Sequence, residues 1–133
     1  MSSDRFSLTI EDSVEGCFRL LAEQNVYLLK RLKHDLKTTR EYMRQVADYE
    51  PDIRINVLKE LKIGVGQKRE QITKVKQAIR NIQIGLDEQT TAKCLKLAKS
   101  VSGIAYRLLR QIREAIDNCE LEIECLQCPI LPG

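Results

Sequence analysis

The sequence predicts an all-α fold, an antiparallel three-helix bundle, and three observations carry the prediction. Apolar residues recur in steps of three and four along three long stretches, the spacing that puts them on one side of a helix. The stretches are separated by only two sets of helix-breaking residues, Glu50-Pro51 and Gly85 to Thr91. The 133 residues hold only six Gly and three Pro, too few turn formers for the many loops of a β-sandwich or barrel. Each amphipathic helix must bury its stripe against another, and short connections make consecutive helices antiparallel.

Helix 1 is expected from about residue 12 to about residue 49. Its stripe runs Val14, Phe18, Leu21, Leu28, Leu32, Tyr42, Val46 and Tyr49, broken by Asn25, Asp35 and Thr39 and widened on one side by Leu29, Leu36 and Met43. Thr9 or Asp12 can cap its start, because their short side-chain oxygens accept the free N–H groups of the first turn. Pro51 disfavours helix at Glu50 and ends it. Helix 2 follows at once, with Asp52 suited to its positive end and a stripe of Ile53, Val57, Leu61, Val65, Lys68, Ile72, Val75, Ile79, Ile82 and Leu86. Gly64-Val65-Gly66 interrupts the helix formers, each Gly costing about 1 kcal/mol relative to Ala, so a kink or frayed turn is expected there. Gly85 is expected to close helix 2. The polar turn Asp87 to Thr91 can cap helix 3, whose stripe reads Cys94, Leu97, Ala98, Val101, Ile104, Ala105, Leu108, Ile112, Ile116, Cys119, Ile123 and Leu126 before Pro129. The organisation expected is an N-terminal tail over 1–11, the bundle over 12–128 and a tail over 129–133.

Composition excludes several classes. At 43% hydrophobic the chain can bury a core, which argues against wholesale disorder. The longest uncharged stretch, Cys125 to Gly133, is nine residues with two prolines, against the roughly 18 apolar residues a membrane span needs. No apolar run follows a basic start, so no signal peptide is expected. Five cysteines, four of them inside helical patterns, fit free thiols in a reducing, cytoplasmic setting.

Residues that could do chemistry are sparse. His34 lies among Lys33, Asp35 and Lys37 with no Ser or Cys nucleophile near it in sequence, so a solvated histidine is expected and not a general base. Gly64-Val65-Gly66 lacks a following Lys-Ser/Thr and is not a phosphate cradle. Cys125 and Cys128 form a single close pair, where a structural zinc needs two such pairs. No enzyme, cofactor or metal is expected.

Charge is more informative. Lys30, Lys33, Lys37, Arg40 and Arg44 form a basic stripe on helix 1, and Lys59, Lys62, Arg69, Lys76 and Arg80 form one on helix 2. Both lie one residue C-terminal of the apolar positions and should therefore flank one face. Residues 114 to 124 carry Glu114, Asp117, Glu120, Glu122 and Glu124 and no base. Two readings follow: helix 3 neutralises part of the basic face, or that face docks an acidic protein through Lys30, Lys33, Lys37, Arg40, Arg44, Lys62, Arg69 and Lys76. A net charge of +3 with no aromatic-rich basic groove fits nucleic acid less well.

Residues 8–86 resemble the tubulin-binding cofactor A family. Asp52-Ile53-Arg54, Asn56 and Val57-Leu58-Lys59-Glu60 are similar to its Asp-Ile/Leu-Lys-Lys-Gln and hydrophobic-Leu-x-Glu. Leu20-Leu21-Ala22-Glu23 with Val26-Tyr27 is similar to its Leu-x-Lys-Glu with a following Tyr. The chain departs from the family at Arg54-Ile55-Asn56, in place of Lys-Lys-Gln, and at Val65-Gly66-Gln67, in place of Ile-Pro-Asp. The resemblance implies a non-catalytic, cytosolic three-helix chaperone that holds β-tubulin folding intermediates, an acidic partner suited to basic stripes. The alternative is a coiled-coil subunit of a larger assembly, with Asn25, Asp35 and Lys68 as register-setting polar positions. The first reading expects a monomer or small homo-oligomer, the second an obligate one.

Overall fold

A computed structural model describes residues 10–127, with side-chain surroundings from residue 13 onward. It holds three helices, α1 (Ile10–Val46), α2 (Pro51–Gln89) and α3 (Ala92–Gln127), each packed on both of the others. At 1.5 Å per residue they are rods of about 55 Å. Phe18 of α1 meets Gly85 of α2, and Arg69 and Gln83 of α2 bond to Asp117 and Ser102 of α3, so both neighbouring pairs are antiparallel. The architecture is the all-α, antiparallel three-helix bundle that the sequence predicts.

The core follows a stricter period than a general helical stripe. Ala22, Leu29, Leu36 and Met43 of α1 recur every seventh residue, as do Leu58, Val65, Ile72, Ile79 and Leu86 of α2, and all are buried. A seven-residue repeat keeps one seam facing the partner over many turns, as in a coiled coil. This corrects the expected stripe. Leu29, Leu36 and Met43, expected as its margin, are its centre, while Leu21, Leu28 and Tyr42 lie beside the seam and are exposed. Ile53 and Ile104 are likewise exposed, and Leu58 and Leu109 take core places. Around Leu108 and Leu109, both buried, the α3 seam shifts by one residue. Asn25 and Thr39, polar residues on the α1 stripe, bond to carbonyls of their own helix, at Leu21 (2.8 Å) and Asp35 (2.8 Å). Both bonds stay within α1.

The ends are defined by specific residues. α1 begins at Ile10, so Asp12 lies inside the helix and not at its cap, and Thr9 lies outside the described residues. After Val46 the chain makes one further turn, in which the Tyr49 N–H donates to the Val46 carbonyl (3.1 Å) and the Tyr49 ring meets Tyr42 edge-on, with centroids 6.5 Å apart. Pro51 opens α2, its fixed φ and missing N–H costing nothing at that position. Contrary to expectation, α2 runs unbroken through Gly64 and Gly66, and neither has a positive φ. Seam residues Leu58, Val65 and Ile72 hold that stretch helical against the other two helices.

Gly85 does not close α2 either. The helix continues to Gln89, and Thr90 takes the left-handed conformation (φ 57°) that ends it. Gly85 serves close packing: a Cβ there would stand 2.6 Å from Phe18 Cε1. Only Thr90 and Thr91 separate α2 from α3, and the Thr91 hydroxyl caps α3 by accepting the Cys94 N–H (3.2 Å).

Candidate protein-interaction faces

The bundle's seams decide where its charges stand. On α1, Lys33 and Arg40 each follow a core-side position and therefore lean toward α3. Lys33 Nζ donates to Gln111 Oε1 (2.9 Å), and Arg40 donates to Glu122 Oε1 through Nε (2.9 Å) and Nη2 (2.6 Å). On α2, Arg69 occupies the equivalent place against the other side of α3, donating through Nη2 to Asp117 (2.8 Å) and Glu120 (3.1 Å). The pair of carboxylates raises the Arg69 guanidinium above its ordinary value.

The two basic stripes thus flank α3, one along each edge, and α3 answers with acid. Of the eight predicted docking residues, Lys33, Arg40 and Arg69 are engaged with α3. Lys30, Lys37, Arg44 and Lys62 are exposed, Lys76 is half-buried, and none of these five makes an ion pair among the described residues. Lys30, Lys37 and Arg44 share one helix edge over about 21 Å. Lys62 and Lys76 lie on the opposite flank of α3, so the eight residues form two edges separated by a helix.

A stronger charge feature lies in α3 itself. From Ala92 to Arg113 it carries Lys93, Lys96, Lys99, Arg107, Arg110 and Arg113 and no acid, and all of these are exposed. The next half carries the acids. Only the acidic half is conspicuous as an unbroken block. The basic half is spread over twice the length among apolar residues, and its signal is the absence of Asp and Glu across six turns.

Exposed apolar residues gather on the first half of α1. Leu20 (57% exposed) and Tyr27 (63%) stand seven residues apart, as do Leu21 and Leu28, giving a second apolar ridge beside the buried seam.

The candidates for chemistry take ordinary places. His34 is exposed, and its carbonyl accepts the Thr38 hydroxyl (3.2 Å). Cys17 and Cys125 are exposed free thiols, while Cys94 and Cys119 are buried; Cys128 lies outside the described residues. Burial pushes the Cys119 thiol up, and Glu122 adds to the rise. Among the described residues no His, Cys, Asp and Glu side chains gather as a metal would require, and no helix is long and apolar enough to cross a membrane. Comparison with protein-family models, curated proteins and solved structures returns no match.

Proposed function

We propose that this chain is a non-catalytic protein-binding bundle, and that its most specific function is that of a cytosolic tubulin-folding cofactor holding partly folded β-tubulin. The observation that carries the reading is the edge of α1. Lys30, Lys37 and Arg44 stand exposed and, among the described residues, without ion pairs along a bundle whose three helices already pack on one another. A row of unneutralised cations on a closed bundle speeds encounter with an acidic partner and aligns it. The exposed ridge Leu20, Leu21, Tyr27 and Leu28 supplies apolar contact area at one end of the same helix. The family resemblance of residues 8–86 supplies the partner's identity.

The test is direct. Unfolded β-tubulin diluted into buffer containing the purified chain should elute with it on gel filtration, without α-tubulin, and salt should weaken the complex. The variant Lys30→Glu/Lys37→Glu/Arg44→Glu should lose the complex at unchanged helicity. Retention of the complex with the same salt dependence would sink the docking edge, and no complex with β-tubulin under any condition would sink the cofactor assignment.

A second reading, a subunit of a helical assembly, is favoured by one observation. The seven-residue spacing of Leu20 with Tyr27 and of Leu21 with Leu28 is what an additional helix would need to join the bundle. A monomeric solution mass favours the chaperone, and an obligate oligomer favours the subunit.

A further inference from the structure

The α1–α3 seam opens at one end into a groove that shares only Lys30 and Tyr27 with the proposed docking surface. Two hollows, of about 340 and 520 Å³, adjoin there through shared walls of Arg19, Leu97 and Ser100. The floor is apolar: Ala22 and Val26 from α1 meet Leu97, Val101 and Ile104 from α3. Arg19 and Glu15 of the rim pair with each other, and the rest of it is Lys30, Lys93 and Lys96 against Glu23. Between Glu15 and Lys30 the groove runs for about 22 Å, the length of a helix of some 15 residues.

We propose that this groove docks an acidic amphipathic helix from a partner protein, its apolar stripe on the Val26–Leu97–Val101–Ile104 floor and its carboxylates beside Lys30 and Lys96. The occupant follows from shape and charge together. An apolar floor recessed between two parallel helices accepts another helix, as in a four-helix bundle. The basic half of α3, with Lys99, Arg107 and Arg110 beyond the rim, extends the positive field over the whole groove and selects acidic flanks. A nucleic-acid backbone would gain nothing from the apolar floor. A membrane would need apolar side chains on the outer ridge of α3, where Lys96, Ser100, Gly103 and Arg107 stand instead. A second copy of this chain is a poor occupant. Its own exposed apolar ridge, Leu20 to Leu28, is bordered by Arg19, Lys30 and Arg31, and the acids of α3 are largely engaged by Arg40 and Arg69.

The probe is a set of fluorescein-labelled helical peptides of 14, 18 and 22 residues, with Leu in steps of three and four and Glu on both flanks, read by fluorescence anisotropy at 50 and 300 mM NaCl. At least one should bind with Kd in the micromolar range and weaken with salt. Lys30→Glu/Lys96→Glu should weaken it at least tenfold, and Ile104→Asn at least fivefold, with melting curves confirming that both variants fold. Lys76→Glu/Arg80→Glu, on α2, and Lys37→Glu/Arg44→Glu, along the proposed tubulin edge, should stay within twofold of wild type. These controls separate the groove from the cofactor reading, which stands or falls on the tubulin complex alone. Failure of all three peptides would overturn the proposal. So would equal loss in rim and control variants, equal binding of a Lys-flanked peptide, or tighter rim-dependent binding of 20-nucleotide DNA or phosphatidylserine vesicles.

Discussion

The glycines of α2 give a sharp test of how this helix is built. Gly64 and Gly66 sit inside a continuous helix, neither has a positive φ, and a Cβ built on either meets nothing within 4 Å. Each therefore bears the entropic cost of glycine in a helix without any packing in return. Replacing one by Ala should recover about 0.8–1 kcal/mol, so Gly64→Ala/Gly66→Ala together should add roughly 2 kcal/mol. For a chain of this size 1 kcal/mol moves Tm by roughly 3–5 °C, so the double variant should melt roughly 6–10 °C higher. Gly85 should behave oppositely. Its added Cβ would stand 2.6 Å from Phe18 Cε1, and the half-buried ring would have to leave its seat against α2, offsetting the propensity gain. Gly85→Ala should therefore give no rise in Tm, and the gain of about 1 kcal/mol should reappear when it is made together with Phe18→Ala, a coupling that a double-mutant cycle isolates. Thermal melts followed by circular dichroism read all of these. A Tm that falls in Gly64→Ala/Gly66→Ala would mean that the helix is broken there, and a Gly85→Ala variant as stable as Gly66→Ala would remove the Phe18 contact.

Three other outcomes follow from burial and charge. At pH 8, iodoacetamide should label Cys17 and Cys125 in the native protein and reach Cys94 and Cys119 only in urea, as peptide mass spectrometry would show; rapid native labelling of Cys119 would contradict its burial. Because the folded Cys119 thiol is held above its ordinary value, its contribution to stability is fully present well below the unfolded value of about 8.5 and declines as pH rises through that value toward the folded one. Urea melts between pH 7 and 10 should show that decline, reduced in Cys119→Ala. Finally, Arg40 and Arg69 remain 47% and 42% exposed in their ion pairs, so Arg69→Met should cost at most about 1 kcal/mol; a loss above 2 kcal/mol would show a desolvated network and not a surface pair.

The fold was legible because amphipathic period and helix breakers act locally. Pro51, the polar stretch ending at Thr90–Thr91 and three apolar stripes suffice to place three rods and their connections. What the period could not resolve was which edge of a wide stripe faces inward. On α1, Leu21 and Leu28 are as apolar as Leu29 and Leu36, and only the path of the other two helices decides between them. The glycines misled for a related reason. A propensity cost of about 1 kcal/mol each is small beside the burial of Leu58, Val65 and Ile72 around Gly64 and Gly66, so tertiary packing kept the helix whole. At Gly85 the lack of a side chain answered a ring from another helix, a contact distant in sequence.

Charge was legible as a pattern but not as a partner list. The rule that both basic stripes sit one residue past the seam led to one common face, whereas α3 lies between them and leaves two separate edges. Whether an edge cation meets an acid depends on what the third helix presents at that height. Arg40 and Arg69 meet the acidic half of α3, whereas Lys30, toward the other end, lies beside the half that carries only bases. The segregation of α3 therefore divides the bundle by charge. Its acidic half meets Arg40 and Arg69 at the end where α1 and α2 are most basic. Its basic half sets Lys96, Lys99 and Arg107 near the other end, over a floor of Val26, Leu97, Val101 and Ile104. An acidic helix laid in the proposed α1–α3 groove would set its carboxylates beside Lys30 and Lys96. Binding and stability are then coupled: a ligand that occupies the groove raises Tm with the logarithm of one plus its concentration over Kd, most strongly at low salt.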